Sequence, residues 1–150
     1  MNPLILLPVV VGTAVVVQAG INRQIADQWG LAAATLLNSA VVMVFALALF
    51  ALVKAKPELF AEFVRVPEDP GRIVAWRGAL AGLLGVTIVF GLPWGFARLG
   101  ALEVILIVMV AQVVASLVWD WRVEGIGVQP LRVIGALVAL GGAALASWKR

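Results

Sequence analysis

Residues Gly30 to Val53 read GLAAATLLNSAVVMVFALALFALV, an apolar run without a single charged residue. An α-helix needs about 20 consecutive apolar residues to cross the hydrocarbon core of a bilayer, which is about 30 Å thick. Backbone N–H and C=O groups in lipid must pair within the segment, because no water is there to bind them. This run is therefore predicted to be a transmembrane helix.

Four other segments show the same pattern, and none carries more than one charged residue. The five predicted spans are residues 3–22, 30–53, 78–97, 100–119 and 133–148. A cleaved signal peptide is the alternative for the first span, although no Lys or Arg precedes it. We predict an all-α integral membrane protein, a bundle of five transmembrane helices in a single membrane domain over residues 1–150.

The composition excludes most soluble classes of protein. Of the 150 residues, 63% are hydrophobic and 13% are charged, whereas a soluble domain is about 45–50% apolar and about 25% charged. Cysteine and histidine are absent, which excludes disulfides, catalytic thiols and histidine bases. With no catalytic or metal-binding motif, we expect no enzyme activity, no metal site and no cofactor. The basic residues are scattered, so nucleic acid is not an expected partner.

The longest polar stretch, residues 54–77, is predicted to form a loop with a short interfacial helix. Pro57 suits the first turn of a helix, and Glu58 suits its positive end. Leu59, Phe60 and Phe63 would then share one apolar face against the lipid bilayer.

The basic residues favour an N-terminus inside the cell. Cytoplasmic loops carry an excess of Lys and Arg. The side of the N-terminus would hold seven basic residues: Lys54, Lys56, Arg65, Arg72, Arg77, Arg122 and Arg132. The opposite side would hold four: Arg23, Arg98, Lys149 and Arg150. The excess is modest, so dual insertion in both orientations stays open.

Polar side chains inside the spans are the candidate functional residues, because polar groups are costly in hydrocarbon. Gln18 and Asn22 are four residues apart, which places both amides on one helix face. Asn38 lies in the second span. Gln112 begins a polar stripe in the fourth span that ends at Asp120. Hydrogen bonds that only join helices are the alternative role for each of these amides.

Two carboxylates lie in or at the end of the fourth span. Glu103 is placed either to stabilise a helix N-terminus or to form a proton or cation site near the membrane face. Asp120 is either a solvated end of the helix or part of such a site. Seventeen residues separate them, about 25 Å along a helix. They cannot form one acid/base pair within a single chain.

Several weak motifs occur in a fixed order along most of the chain. They are Gln18-x-x-x-Asn22, Leu31-Ala32-Ala33-Ala34, Pro93, Leu99-Gly100-Ala101, Gln112, Asp120, Pro130, Arg132 and Gly135. In this order and spacing the chain resembles the small five-helix YdcZ-type family of the drug/metabolite transporter (DMT) superfamily.

The resemblance implies a DMT-like half-transporter unit in the cytoplasmic (inner) membrane. Larger relatives join two five-helix repeats in inverted orientation. A lone repeat is therefore expected to work as a dimer, either a homodimer with an antiparallel copy of itself or a pair with a homologue. The related small multidrug-resistance proteins exchange protons for cations at a glutamate in helix one. Here no carboxylate precedes Asp27, so proton or cation coupling would depend on Glu103 or Asp120.

The leading hypothesis is a small-molecule transporter, an exporter, that acts as a dimer. Its substrate would contact four neutral amides: Gln18, Asn22, Asn38 and Gln112. Two alternatives stay open. One is a non-transporting membrane scaffold or accessory subunit, and the other is a lipid-handling membrane protein.

Overall fold

A computed structural model describes residues 6–67, 75–127 and 129–147 of the chain. These residues form five α-helices and, within the described ranges, no β-strand. The helices are α1 (Leu6–Trp29), α2 (Leu31–Ala55), α3 (Ala75–Leu99), α4 (Ala101–Arg122) and α5 (Pro130–Ser147). The predicted all-α class is confirmed.

Helices α1 to α4 are each long and apolar enough to cross a membrane. Their large apolar side chains, such as Leu36, Phe45 and Leu83, are mostly exposed. Such exposure would be costly in water, but in a bilayer it places the side chains against lipid tails. Helix α5 contains a shorter apolar segment, Val133–Ala146, so the fifth span stays a prediction.

The chain divides into two compact units, Met1–Trp94 and Gly95–Arg150. The first unit is centred on the α1–α2 helical hairpin, and the second on the packing of α4 with α5. The single membrane domain stays a prediction.

A single glycine, Gly30, joins α1 directly to α2. Its N–H donates to the carbonyl of Ala26 at 2.9 Å, and its own carbonyl accepts from the N–H of Ala34 at 3.1 Å. One helix therefore ends and the next begins on the same residue. The reversal needs φ of 83° and ψ of 152° at Gly30, a conformation that only glycine adopts readily.

The same device recurs 70 residues later at Gly100, between α3 and α4, with φ of 89° and ψ of 155°. Its N–H donates to Phe96 at 3.1 Å, and its carbonyl accepts from Val104 at 3.3 Å. The two helices approach closely here, because a Cβ on Gly95 would lie 3.0 Å from Cγ2 of Val104. The same one-residue turn therefore joins α1 to α2 and α3 to α4.

Helix α1 is longer than the first predicted span, which ended at Asn22. The residues between the first and second predicted spans, Arg23 to Trp29, are helical and form the end of α1. Residues 23–29 contain neither glycine nor proline, so nothing in them stops a helix. The start of charge at Arg23 marks a change of polarity and not the end of the helix.

The segment after α2 also differs from the expected loop with a short interfacial helix. It forms two 3₁₀ helices of three residues each, Pro57–Leu59 and Glu62–Val64. Phe60 is extended between them. Its carbonyl accepts a hydrogen bond of 2.9 Å from Nε of Arg65. The segment is too short and too interrupted to propagate an α-helix, since helix nucleation is costly.

Candidate substrate site

A hydrogen bond between two side-chain amides joins α1 to α2. Nε2 of Gln18 donates to Oδ1 of Asn38 over 3.2 Å. The Gly30 turn makes this contact possible, because it returns α2 antiparallel along α1 with no intervening linker. The sequence predicted both residues as site members, but it did not predict their pairing.

Asn22 lies one helical turn closer to the hairpin tip than Gln18. It is 5% exposed, the most deeply buried polar side chain among the described residues. Gln18 pairs with Asn38, and four residues further along each antiparallel helix lie Asn22 and Ala34. Ala34 is 0% exposed. The small alanine lets the helices approach, so the Asn22 amide is enclosed by protein and not by lipid.

The side-chain amide of Asn38 has a hydrogen-bond donor that is not used. Nδ2 of Asn38 is inaccessible to solvent and finds no partner among residues 6–67, 75–127 and 129–147. A buried donor without a partner costs roughly 1–3 kcal/mol. The amide cluster, defined as Gln18, Asn22 and Asn38, therefore holds a donor that a polar ligand or water could satisfy.

Helix α3 closes this side of the cluster within the first unit. Gln18, Ala19 and Asn22 line a narrow cavity of about 10 Å³, close to the smallest that holds one water molecule. The opposite wall is formed by four residues of α3: Ile88, Val89, Leu92 and Pro93. The cavity is too small to hold a metabolite.

Pro93 adds a backbone acceptor to the cavity wall. Proline has no N–H, so an interior proline leaves the carbonyl four residues earlier without its helical partner. That residue is Val89, which lines the cavity with Gln18 and Asn22. The sequence analysis included Pro93 among the motifs of the chain but missed Val89. The spacing of four residues before a proline in a span was the available signal.

The fourth predicted substrate contact, Gln112, lies on α4 in the second unit and is exposed. One turn later, the hydroxyl of Ser116 donates to the carbonyl of Val113 at 2.9 Å. Ser116 is thus bonded to its own helix. The first unit brings Gln18, Asn22 and Asn38 together, and the participation of Gln112 stays a prediction.

The two carboxylates lie at opposite ends of α4. Glu103 is half-buried in the first turn, where the positive end of the helix dipole favours a negative charge. Asp120 lies in the last turn, and its carbonyl accepts the N–H of Ile126 at 2.8 Å. A coupling role for either residue stays a prediction.

The site offers hydrogen bonds without formal charge. Its members are primary amides, which both donate and accept hydrogen bonds, and a backbone carbonyl, which accepts them. No group of three or more metal-ligating side chains occurs among the described residues. Such a site can orient a polar, uncharged part of a small molecule.

Long apolar helices that carry a cluster of amides between α1 and α2 define a multi-pass, all-α membrane protein. The model of one family, described as "Putative inner membrane exporter, YdcZ", matches residues 3–145. The chain belongs to this family, so the resemblance seen in the sequence is confirmed. It is a multi-pass protein of the inner membrane, and its family is described as one of exporters, which is not an enzyme family. No curated protein and no solved structure matches it significantly.

Proposed function

We propose that the protein exports a polar small molecule, which binds at the amide cluster of Gln18, Asn22 and Asn38. The observation that carries the proposal is the enclosed Nδ2 of Asn38, a donor without a partner among the described residues. A contact that served only to pack two helices would not need a buried donor without a partner, because apolar side chains at the same position cost less free energy. A substrate that accepts a hydrogen bond supplies one.

The proline in α3 supports alternating access at this site. Transporters place substrate near the bilayer midplane, where interrupted helices expose backbone groups. Val89 lies eleven residues from Gly100, about 16 Å along the helix, so its carbonyl is near the middle of the hydrocarbon core, which is about 30 Å thick. Loosening of α3 around Pro93 would open the narrow cavity to one side and then to the other.

The active form in this proposal is a dimer of five-helix units. The amide cluster belongs to one unit of the chain and Gln112 to the other. Since one chain is half of a transporter in this proposal, a second copy would complete the pathway. The partner is either an antiparallel copy of the same chain or a paired homologue. With the N-terminus inside, the turn at Gly30 would lie on the outer face.

The proposal predicts measurable flux. Purified protein in proteoliposomes is expected to move at least one compound of a broad panel of polar metabolites above the rate of protein-free liposomes. Gln112→Ala is expected to reduce that flux, because it removes an amide that we place on the pathway. A panel without any transported compound would contradict the exporter assignment. Unchanged flux in Gln112→Ala would remove Gln112 from the site.

A scaffold or accessory subunit is the second candidate, and the Gln18–Asn38 hydrogen bond favours it. Hydrogen bonds between the side-chain amides of membrane helices contribute about 0.6 kcal/mol on average, so in this function the pair would only pack α1 against α2 and fix the surface that the hairpin presents to a partner. The scaffold hypothesis predicts that removing either amide changes the oligomeric state and leaves flux at the background level. Size-exclusion chromatography beside the flux assay separates the two functions.

A further inference from the structure

The segment between α2 and α3 carries a feature that the exporter site does not use. We define the interfacial loop as residues 56–67. It begins directly after α2, whose 25 residues span about 37 Å, more than the hydrocarbon core of about 30 Å. The last turn of α2 and the interfacial loop therefore lie at the level of the lipid headgroups.

The apolar side chains of the interfacial loop are turned outward. Phe63 is 100% exposed and Leu59 is 67% exposed, with Val64 also exposed. The two 3₁₀ helices present these side chains on their surface instead of burying them. Apolar side chains interleaved with charges suit the boundary between headgroups and acyl chains. There the apolar side chains contact the acyl chains and the charged side chains contact headgroups and water.

A cleft of about 830 Å³ opens beside Phe63. Eight residues line it: Val53, Lys54, Pro57, Glu62, Phe63, Arg65, Val66 and Pro67. The lining combines two cations, one carboxylate and apolar surface. These three charged residues are all described, and no ion pair joins Glu62 to Lys54 or Arg65.

Both cations are held in position by contacts that leave charge available. Nε of Arg65 donates to the carbonyl of Phe60 at 2.9 Å, so the two terminal nitrogens of the guanidinium stay free for a ligand. Nζ of Lys54 lies 5.8 Å from the ring centre of Phe50. A guanidinium and an ammonium in one cleft are the usual partners of a phosphate.

We propose that this cleft binds the headgroup of a glycerophospholipid that carries both a phosphate and a primary amine. Lys54 and Arg65 hold the phosphate, Glu62 accepts hydrogen bonds from the amine, and Phe63 inserts beside the acyl chains. The charge pattern selects this headgroup. A purely anionic headgroup leaves Glu62 facing negative charge, and a trimethylated amine has no N–H to donate to Glu62.

Native mass spectrometry of the delipidated full-length protein in detergent tests the proposal. Dioleoyl phosphatidylethanolamine is titrated against dioleoyl phosphatidylcholine, dioleoyl phosphatidylglycerol and inorganic phosphate. We expect the ethanolamine lipid to bind about tenfold better than the choline lipid, the effect of one charge-assisted hydrogen bond. Inorganic phosphate is expected not to displace it, because phosphate lacks the chains that pack on Phe63.

Three variants define the outcome. The double variant Lys54→Gln/Arg65→Gln is expected to lose binding of the ethanolamine lipid, and Glu62→Gln is expected to lose only the preference for ethanolamine over choline. Lys56→Gln is the matched control, since it removes a nearby cation that does not line the cleft. Circular dichroism verifies the helix content of each variant. Unchanged preference in Glu62→Gln, full displacement by inorganic phosphate, or an equal loss in Lys56→Gln would each overturn the proposal.

Discussion

Substitution of Asn22 by leucine is expected to reduce the export flux by about tenfold or more. The side chain is 5% exposed and lines the cavity beside Val89. Leucine has a similar size but neither donates nor accepts a hydrogen bond. A buried polar group left without its partner costs roughly 1–3 kcal/mol, and about 1.4 kcal/mol corresponds to a tenfold change in an equilibrium or a rate.

Gln24→Leu is the matched control for this substitution. Gln24 is an amide on the same helix, two residues away, but it is exposed. Its replacement also removes an amide, yet it is expected to leave the flux within about twofold, because surface substitutions usually cost less than about 0.5 kcal/mol. The flux is measured in proteoliposomes with equal amounts of folded protein. Equal flux in Asn22→Leu and Gln24→Leu would contradict the role of Asn22.

Gly30→Ala is expected to lower the free energy of unfolding by about 1–3 kcal/mol, the cost of a residue held in a sparsely populated backbone conformation. No atom outside the local backbone lies within 4 Å of the added Cβ. The penalty therefore comes from the positive φ of 83° alone. Unfolding in mixed micelles, followed by circular dichroism, measures it.

The same substitution at Gly82 is expected to have the opposite sign. Gly82 lies inside α3, and its Cβ also meets open space. Alanine there is expected to stabilise the helix by about 0.5–1 kcal/mol, since glycine loses more backbone entropy on folding. Equal effects at Gly30 and Gly82 would mean that the strained turn does not hold the hairpin.

The class of fold could be predicted from the sequence because long apolar runs leave a chain few choices. The run from Gly30 to Val53 has to be helical in lipid, and α2 covers residues 31–55. The end of α1 could not be predicted in the same way. Charge begins at Arg23, but helix propensity continues until Gly30. The first charged residue indicates where the hydrocarbon core ends, whereas the backbone conformation of Gly30 determines where the helix ends.

The candidate site could be predicted only in part, for a related reason. Spacing of four residues placed Gln18 and Asn22 on one helix face. Their relation to Asn38 depends on the register of α2 against α1, which the turn at Gly30 sets. The carbonyl of Val89 carries no signal in its own side chain. It becomes available only because a proline follows four residues later.

The most direct test of the central claim is the accessibility of the amide cluster to water and substrate during transport. The chain contains no cysteine, so Val89→Cys introduces a single thiol on the cavity wall. Val42→Cys, on the exposed surface of α2, is the control at membrane depth. We predict that a water-soluble thiol reagent labels Cys at position 89 and blocks flux, that transported substrate slows this labelling, and that position 42 stays unlabelled. Labelling at position 89 no faster than at position 42 would contradict a substrate pathway through the amide cluster.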